Sequence, residues 1–159
     1  MGREMDICVK PKGNDDARAA KTLLFWVDSD ELYGIWSDAG LIRDDDGDEE
    51  KFPEGICRSL TKENISGVLN GLKNKQDSVK SDIRLLRQRR DAMRETQCQT
   101  ADAVDEKAEF VESMTSDLAD ATESLAFITK ALEEWSTIST MSANLGLDED
   151  GYELGFIYG

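Results

Sequence analysis

Two hydrophobic heptad repeats fill most of the second half of the sequence, and they constrain the fold more than any other feature. No proline follows Pro53, and Thr61 suits the capping position at the start of a helix. Apolar residues then recur every seven positions on both sides of Cys98, as in helices that pair in a coiled coil. The first repeat comprises Ile65, Leu69, Leu72, Val79, Ile83, Leu86 and Met93, and the second comprises Val104, Val111, Met114, Leu118, Ala121, Leu125, Ile128, Leu132 and Trp135.

The charges of the two repeats indicate how the helices pair. Residues 62–97 carry nine Lys and Arg against five Asp and Glu, whereas residues 101–139 carry two against ten. A parallel dimer of one continuous helix would place like charges side by side, but a chain that turns at Cys98 and Gln99 places the basic repeat beside the acidic one. This antiparallel hairpin would set Leu86 opposite Val111 and Gln76 opposite Ala121. Two chains that pair antiparallel as continuous helices would satisfy the same contacts, so that alternative stays open.

The first sixty residues contain shorter elements. Residues 5–10 alternate weakly, and residues 23–27 and 32–36 have the composition of two strands around an Asp-Ser-Asp turn. A helix over residues 14–24 competes for part of this segment, because Asn14 is a good helix-capping residue.

The end of the chain predicts a strand. The second long helix is expected to fray through residues 136–142 and to stop before Gly146, and residues 152–158 then alternate with the period of a strand. Because a hairpin returns the chain to its base, this strand can join the N-terminal ones. The predicted fold is therefore α+β, with a small mixed head formed by residues 1–60 with 143–159 and an antiparallel coiled-coil helical hairpin arm over residues 61–142.

Composition excludes several classes of site. The 159 residues include no histidine, and the three cysteines show no C-x-x-C spacing, so zinc sites and His-dependent nucleophiles lack a required member. No glycine-rich phosphate loop is present. The net charge of −15 argues against nucleic acid as a direct ligand, because phosphate binding needs a clustered cationic surface. We expect no catalytic residues, no cofactor and no metal.

Two acidic segments, DDDGDEE at residues 44–50 and DEDGYE at residues 148–153, invite comparison with calcium-binding loops. Neither has the EF-hand spacing: Gly47 is the fourth residue counted from Asp44, and placing Gly151 sixth puts Gly146 first and Ile157 twelfth. Both segments are therefore expected to be solvated acidic loops.

The location of the protein follows from what its sequence lacks. No apolar run approaches the roughly 20 residues of a membrane-spanning helix. The first residues, MGREMD, contain no apolar signal-peptide core. We expect a cytoplasmic protein without membrane contact.

These features together favour a non-enzymatic, acidic protein-binding module whose partner is a protein with a basic surface, such as a nucleic-acid-binding protein. Acidic proteins made by phages and mobile elements inhibit nucleases and defence complexes as nucleic-acid mimics, because repeated carboxylates imitate phosphates. By this analogy the chain is an inhibitor or decoy; the alternative is a structural or scaffold protein that forms homo-oligomers through its arm. The expected partner-binding residues are Asp44, Asp45, Asp46, Asp105, Glu109, Glu112, Asp120, Glu123, Phe110 and Phe127.

Overall fold

The secondary structure of the residues that the structure describes combines four strands with three α-helices, two of them long. The computed structural model describes residues 4–27, 30–42, 56–146 and 151–158. The predicted α+β class, with N-terminal strands, a long helical hairpin and a C-terminal strand, is confirmed. The elements in chain order are β1 (Glu4–Pro11), a 3-10 turn (Ala17–Ala19), β2 (Lys21–Val27), α1 (Asp30–Asp38), β3 (Arg58–Ser59), α2 (Lys62–Glu95), α3 (Ala101–Gly146) and β4 (Tyr152–Tyr158).

The chain divides into two compact units, and the division falls inside both long helices. The sheet unit comprises Met1–Gly71 and Glu133–Gly159, and the helical unit comprises Leu72–Leu132. The helical unit is shorter than the predicted arm of residues 61–142, because the first turns of α2 and the last turns of α3 belong to the sheet unit.

The sheet is antiparallel throughout, with strand order β2-β1-β4-β3. Strand β1 is central and pairs with β4 from Met5 opposite Tyr158 to Pro11 opposite Tyr152. The predicted C-terminal strand is therefore confirmed, as is its pairing with the N-terminal strands.

One face of the sheet forms part of the core of the sheet unit. Met5, Phe156 and Tyr158 are buried on it, and the ring of Tyr158 packs edge-on against Trp36 of α1 with centroids 6.5 Å apart. Trp36 and Trp135 are both fully buried. Burial of such large aromatic rings removes much apolar surface from water and so stabilises the core.

The prediction of a strand over residues 32–36 is wrong, because this segment belongs to helix α1. Leu32 and Trp36 are both almost completely buried. Residues four apart share one face of a helix, and they also share one face of a strand, so the spacing of these two side chains fits either element. Neither the spacing nor the burial of these two side chains therefore distinguishes a helix from a strand.

The helix considered over residues 14–24 is also wrong. This segment contains only the 3-10 turn, capped by the Asp16 side chain, and then strand β2. Six residues of β2 pair with β1, from Val27 opposite Glu4 to Lys21 opposite Val9. The ladder of hydrogen bonds to a distant segment outweighs the local helix signal of Asn14.

Helix α3 continues to Gly146, so the predicted fraying over residues 136–142 is wrong. Ile138 is fully buried, and Met141 is half-buried. The hydroxyl of Thr140 donates to the carbonyl of Ser136 within the same helix. Burial of the apolar residues therefore sustains the helix through a stretch of weak helix formers.

Glycines on α2 allow α1 to approach closely. A Cβ atom added at Gly67 would lie 3.1 Å from Ala39, and one added at Gly71 would lie 2.8 Å from Ile35 Cγ2. The Asn64 side-chain amide also donates to the carbonyl of Ala39 at 2.7 Å. The start of α2 is therefore held against the end of α1 by both packing and hydrogen bonding.

A threonine caps the N-terminal end of each long helix. The predicted cap at Thr61 is confirmed, since its hydroxyl accepts from the Asn64 amide while the Asn64 side chain accepts from the Thr61 amide. Thr100 caps α3 in the same way by accepting from the amide of Ala103. The chain turns between α2 and α3 over residues 96–100, so the predicted intrachain hairpin is confirmed.

The register of the hairpin differs from the prediction by about one heptad. Gln76 donates to the Thr129 hydroxyl at 3.1 Å, whereas the predicted partner, Ala121, lies about two turns before Thr129 in α3. Heptad seams repeat every seven residues, so the apolar pattern fits both registers. The polar Gln76 distinguishes them, because only the observed register gives its amide a hydrogen bond.

Candidate functional site

The five predicted carboxylates of α3 lie on one exposed face of the helix. They follow each other at intervals of three, four and eight residues, and all are exposed. The interval of eight also preserves the face, because it is a sum of two intervals of four. Within the part of the chain that the structure describes, the salt bridges include none of the five. We name this face the acidic stripe: Asp105, Glu109, Glu112, Asp120 and Glu123.

The density of charge on this part of α3 approaches that of a nucleic-acid strand. Asp102, Glu106 and Asp117 are also exposed, which gives eight carboxylates over residues 102–123. At 1.5 Å per residue this segment is about 32 Å long, or about one charge per 4 Å. One strand of DNA carries one charge per about 3.4 Å of helix axis.

The two predicted phenylalanines lie on different faces of α3. Phe127 follows Glu123 by four residues, so it extends the acidic stripe, and 39% of it is exposed. Phe110 is half-buried and lies about 100° around the helix from Phe127. The structure thus joins Phe127 to the carboxylates and leaves Phe110 apart from them.

Helix α2 carries a complementary row of cations, which we name the basic stripe: Lys73, Lys80, Arg87 and Arg94. All four are exposed, and they recur every seven residues on the edge of the seam. Arg87 and Arg90 line a shallow groove that also contains Glu123 of the acidic stripe.

The helical unit as a whole holds ten cationic and twelve anionic residues, so most of the net charge of −15 belongs to the sheet unit.

The tip of the hairpin contains a second groove, of about 880 Å³, between the turn and the first turns of α3. Val104 is 52% exposed there, beside Cys98 and Glu112. The Lys107 ammonium donates to the carbonyls of Arg94 and Thr96. A cation at this position stabilises the C-terminal end of α2.

The remaining predicted site residues, Asp44, Asp45 and Asp46, lie outside the described residues. The acidic segment at residues 148–153 is described only from Gly151 onward.

The second face of the sheet carries a polar cluster that the sequence did not reveal. Cys8 and Lys10 of β1 pair with Gly155 and Glu153 of β4, and Cys57 lies just before β3. The sulfurs of Cys8 and Cys57 are 2.7 Å apart, and both residues are fully buried. We name this group the thiol–lysine cluster: Cys8, Lys10, Asp15, Cys57, Ser59 and Glu153.

Gly155 makes the contact between the thiols possible. It lies on β4, between β1 and β3, and so separates the two cysteines in the sheet. A Cβ atom at this position would lie 2.5 Å from Cys57 Sγ, 2.9 Å from the carbonyl oxygen of Arg58 and 3.1 Å from Lys10 Cδ. Only a glycine leaves room for the side chains to meet across the strand.

The Lys10 side chain is completely buried yet forms two ion pairs. Its ammonium lies 2.6 Å from Asp15 Oδ1 and 3.1 Å from Glu153 Oε1, and the same Glu153 oxygen accepts from the Ser59 hydroxyl. Burial alone would lower the pKa of Lys10, but the hydrogen bonds and charges of the two carboxylates together raise it. Lys10 therefore stays cationic.

The two thiols have different acidities. The hydrogen bond between the two sulfurs and the charge of Lys10 lower the pKa of Cys57, although burial acts in the opposite direction. The same hydrogen bond and burial raise the pKa of Cys8. Cys57 is therefore the sulfur that more readily becomes a thiolate.

Sequence reasoning missed this cluster because its members come from four separate segments. The one signal was in β1, where Asp6, Cys8 and Lys10 alternate with apolar residues and so share a face. A lysine among buried strand residues requires a partner, but the sequence does not identify it.

Comparisons with protein families, with curated proteins and with solved structures find no match for this chain. No group of three or more potential metal ligands occurs among the residues that the structure describes. Within the same residues, no helix combines the length and apolar character needed to cross a bilayer.

Proposed function

We propose that this chain is a non-enzymatic protein-binding module whose acidic stripe engages a partner with a basic surface. The observation that carries this proposal is the alignment of five exposed carboxylates and Phe127 on one face of a continuous helix. Charges arranged in this way steer a cationic partner over a distance, and the apolar ring adds a contact that persists when salt screens the charges.

The spacing of the carboxylates supports a finer proposal, that the chain is an inhibitor or decoy that mimics nucleic acid. A charge per about 4 Å along α3 is close to that of a single strand. A protein that binds phosphates through regularly spaced Lys and Arg could therefore bind this face instead. A phage or mobile-element origin is part of this proposal.

The proposal is tested by measuring binding of an oligolysine peptide to the full chain from about 50 to 200 mM salt, a range over which charge-driven binding weakens strongly. The triple variant Glu109→Gln, Glu112→Gln and Glu123→Gln should bind severalfold more weakly and with a flatter salt dependence. Its melting temperature should stay near that of the wild type, because exposed charges contribute little to stability.

A matched control removes the same charge from other exposed positions: Asp77→Asn, Asp82→Asn and Glu95→Gln on and at the end of α2. This variant should bind nearly as the wild type does. Equal loss of binding in both triple variants would show that net charge alone attracts the peptide, and the acidic stripe would then not be the binding site.

The contribution of Phe127 is tested with a peptide in which leucines alternate with lysines. This peptide should bind more tightly than oligolysine, and Phe127→Ser should abolish the difference while the helical spectrum is preserved. If the advantage of the leucine-containing peptide survives in Phe127→Ser, the apolar contact lies elsewhere.

Self-assembly is the second candidate function, and the basic stripe is the observation that favours it. Lys73, Lys80, Arg87 and Arg94 offer a row of cations to the acidic stripe of another copy, so two hairpins could pair with opposite charges in contact. Light scattering over a range of protein concentrations should then detect an oligomer that dissociates in Arg87→Glu, whereas a concentration-independent monomer rules it out.

A further inference from the structure

We propose that Cys8 and Cys57 form a site of reversible oxidation, at which a hydroperoxide converts the two thiols into a disulfide that links β1 to the segment before β3. This proposal is independent of partner binding. It rests on the thiol–lysine cluster and not on the helical hairpin.

The geometry brings the two sulfurs together without direct strand pairing. Their separation of 2.7 Å is only about 0.7 Å longer than a disulfide bond. Strands β1 and β3 are not neighbours, so the contact exists only because Gly155 of the intervening strand has no side chain. The fold thus holds two thiols at bonding range in a place where either one alone would serve as a small apolar side chain.

The surroundings assign different roles to the two sulfurs. Cys57 is the nucleophile, because its contact with the Cys8 sulfur and the charge of the Lys10 ammonium both favour its thiolate form. Cys8 keeps its proton and is the resolving thiol. Asp15 and Glu153 hold Lys10 in place through ion pairs of 2.6 and 3.1 Å, so these two carboxylates are positioning residues for the reaction.

The reaction has two steps. The Cys57 thiolate attacks one oxygen of the hydroperoxide, the O–O bond breaks, and the departing alkoxide or hydroxide takes up a proton, which leaves Cys57 as a sulfenic acid. The Cys8 sulfur then attacks the Cys57 sulfur, loses its proton and expels hydroxide, which leaves as water. Overall, two thiols lose two electrons and two protons, and the hydroperoxide is reduced to an alcohol or water plus a second water. An added dithiol reverses the change by thiol–disulfide exchange.

Access to the buried thiols requires local opening. Strand β3 contains only two residues, and the adjoining Ile56 makes an isolated bridge to Asp16. A short edge ladder of this kind opens more readily than the β1–β4 pairing, so a small oxidant can reach Cys57 while most of the sheet persists. Oxidation should therefore be slower than at the half-exposed Cys98 of the hairpin tip.

The test uses the full chain with Cys98→Ser, so that only the two buried cysteines can react. After treatment of the folded protein with hydrogen peroxide, the intact mass should fall by two hydrogens, and digestion should yield one peptide pair that joins Cys8 to Cys57. Dithiothreitol should restore the original mass. The oxidised form should melt at a higher temperature, because the bond cross-links two segments separated by 49 positions in the sequence.

Single variants in the same background identify the nucleophile. Cys8→Ser should accumulate a sulfenic acid on Cys57 that dimedone traps, whereas Cys57→Ser should leave Cys8 largely unlabelled. Equal labelling of the two would overturn the assigned roles.

The proposal itself would be overturned if peroxide produced the cross-linked peptide only after the protein was unfolded. It would equally be overturned if the folded protein formed sulfinic or sulfonic acids without losing two hydrogens. In either case the two cysteines would serve only as buried side chains of the core. The mass measurement needs no substitution at either site, so its result does not depend on whether Cys8→Ser or Cys57→Ser folds.

Discussion

At the scale of single residues, the thiol–lysine cluster depends on one missing side chain. We predict that Gly155→Ala lowers the free energy of unfolding by about 1–3 kcal/mol, because a methyl group would clash with Cys57 and with the Arg58 carbonyl. Chemical denaturation measures this difference. Gly34→Ala is the control, since it lies exposed in α1 with no atom within 4 Å of the added carbon, and it should stabilise by about 0.5–1 kcal/mol. Equal effects of the two substitutions would contradict the packing argument.

A second residue-scale prediction concerns Lys10 and pH. Lys10→Met should lower the free energy of unfolding by about 1.5–3 kcal/mol at neutral pH, because two carboxylates lose charged hydrogen bonds. The folded pKa of Lys10 is raised, so its contribution is fully present below the unfolded value of about 10.4 and is lost as pH rises through the folded value. From neutral pH upward, the difference between variant and wild type should therefore stay constant to about pH 10 and shrink above it.

The control for this prediction is Lys12→Met, which removes an exposed lysine two residues away and should change stability by less than about 0.5 kcal/mol. A difference for Lys10→Met that vanishes on acidification to pH 7 would show that the ion pairs are not its source.

At the scale of elements, the hairpin register depends on the Gln76–Thr129 hydrogen bond. We predict that a double-mutant cycle with Gln76→Ala and Thr129→Val gives a coupling free energy of about 0.5–1.5 kcal/mol. The same cycle with Gln76→Ala and Ala121→Ser should give none, because Ala121 lies about two turns from Thr129 along α3. Coupling to position 121 but not to 129 would restore the register expected from the sequence.

The elements also show how far the sequence alone predicts the structure. The long helices were predictable because their apolar spacing persists over many turns, which few other structures allow. Helix α1 was not, since a single pair, Leu32 and Trp36, fits both a helix and a strand. The acidic stripe could be located from helical periodicity once α3 was known. The thiol–lysine cluster could not be located in this way, because its residues meet only when β1 and β3 both pair with β4. The local sequence does not indicate which distant strands pair.

At the scale of the whole molecule, charge is divided unequally between the two units. The helical unit has twelve anionic and ten cationic residues, so it has a net charge of −2 and the sheet unit holds the remaining −13. Two electrostatic effects therefore oppose each other. Attraction between the basic stripe and α3 favours the fold of the helical unit, whereas repulsion among the carboxylates disfavours the fold of the sheet unit. Asp6 reports the second effect, because burial and the neighbouring Glu4 raise its pKa.

The response of stability to salt decides which effect is larger. We predict that NaCl raises the melting temperature between about 0.01 and 0.15 M, as the screening length falls from about 30 to 8 Å, because a net charge of −13 outweighs attraction within a nearly neutral unit. Each kcal/mol corresponds to roughly 2–4 °C for a chain of this size. The double variant Glu4→Gln and Asp6→Asn should melt at a higher temperature than the wild type at low salt, and its melting temperature should rise less as NaCl is added. The triple glutamine variant of the acidic stripe should show the same rise of melting temperature with NaCl as the wild type. A melting temperature that falls with added salt would mean that attraction between α2 and α3 dominates.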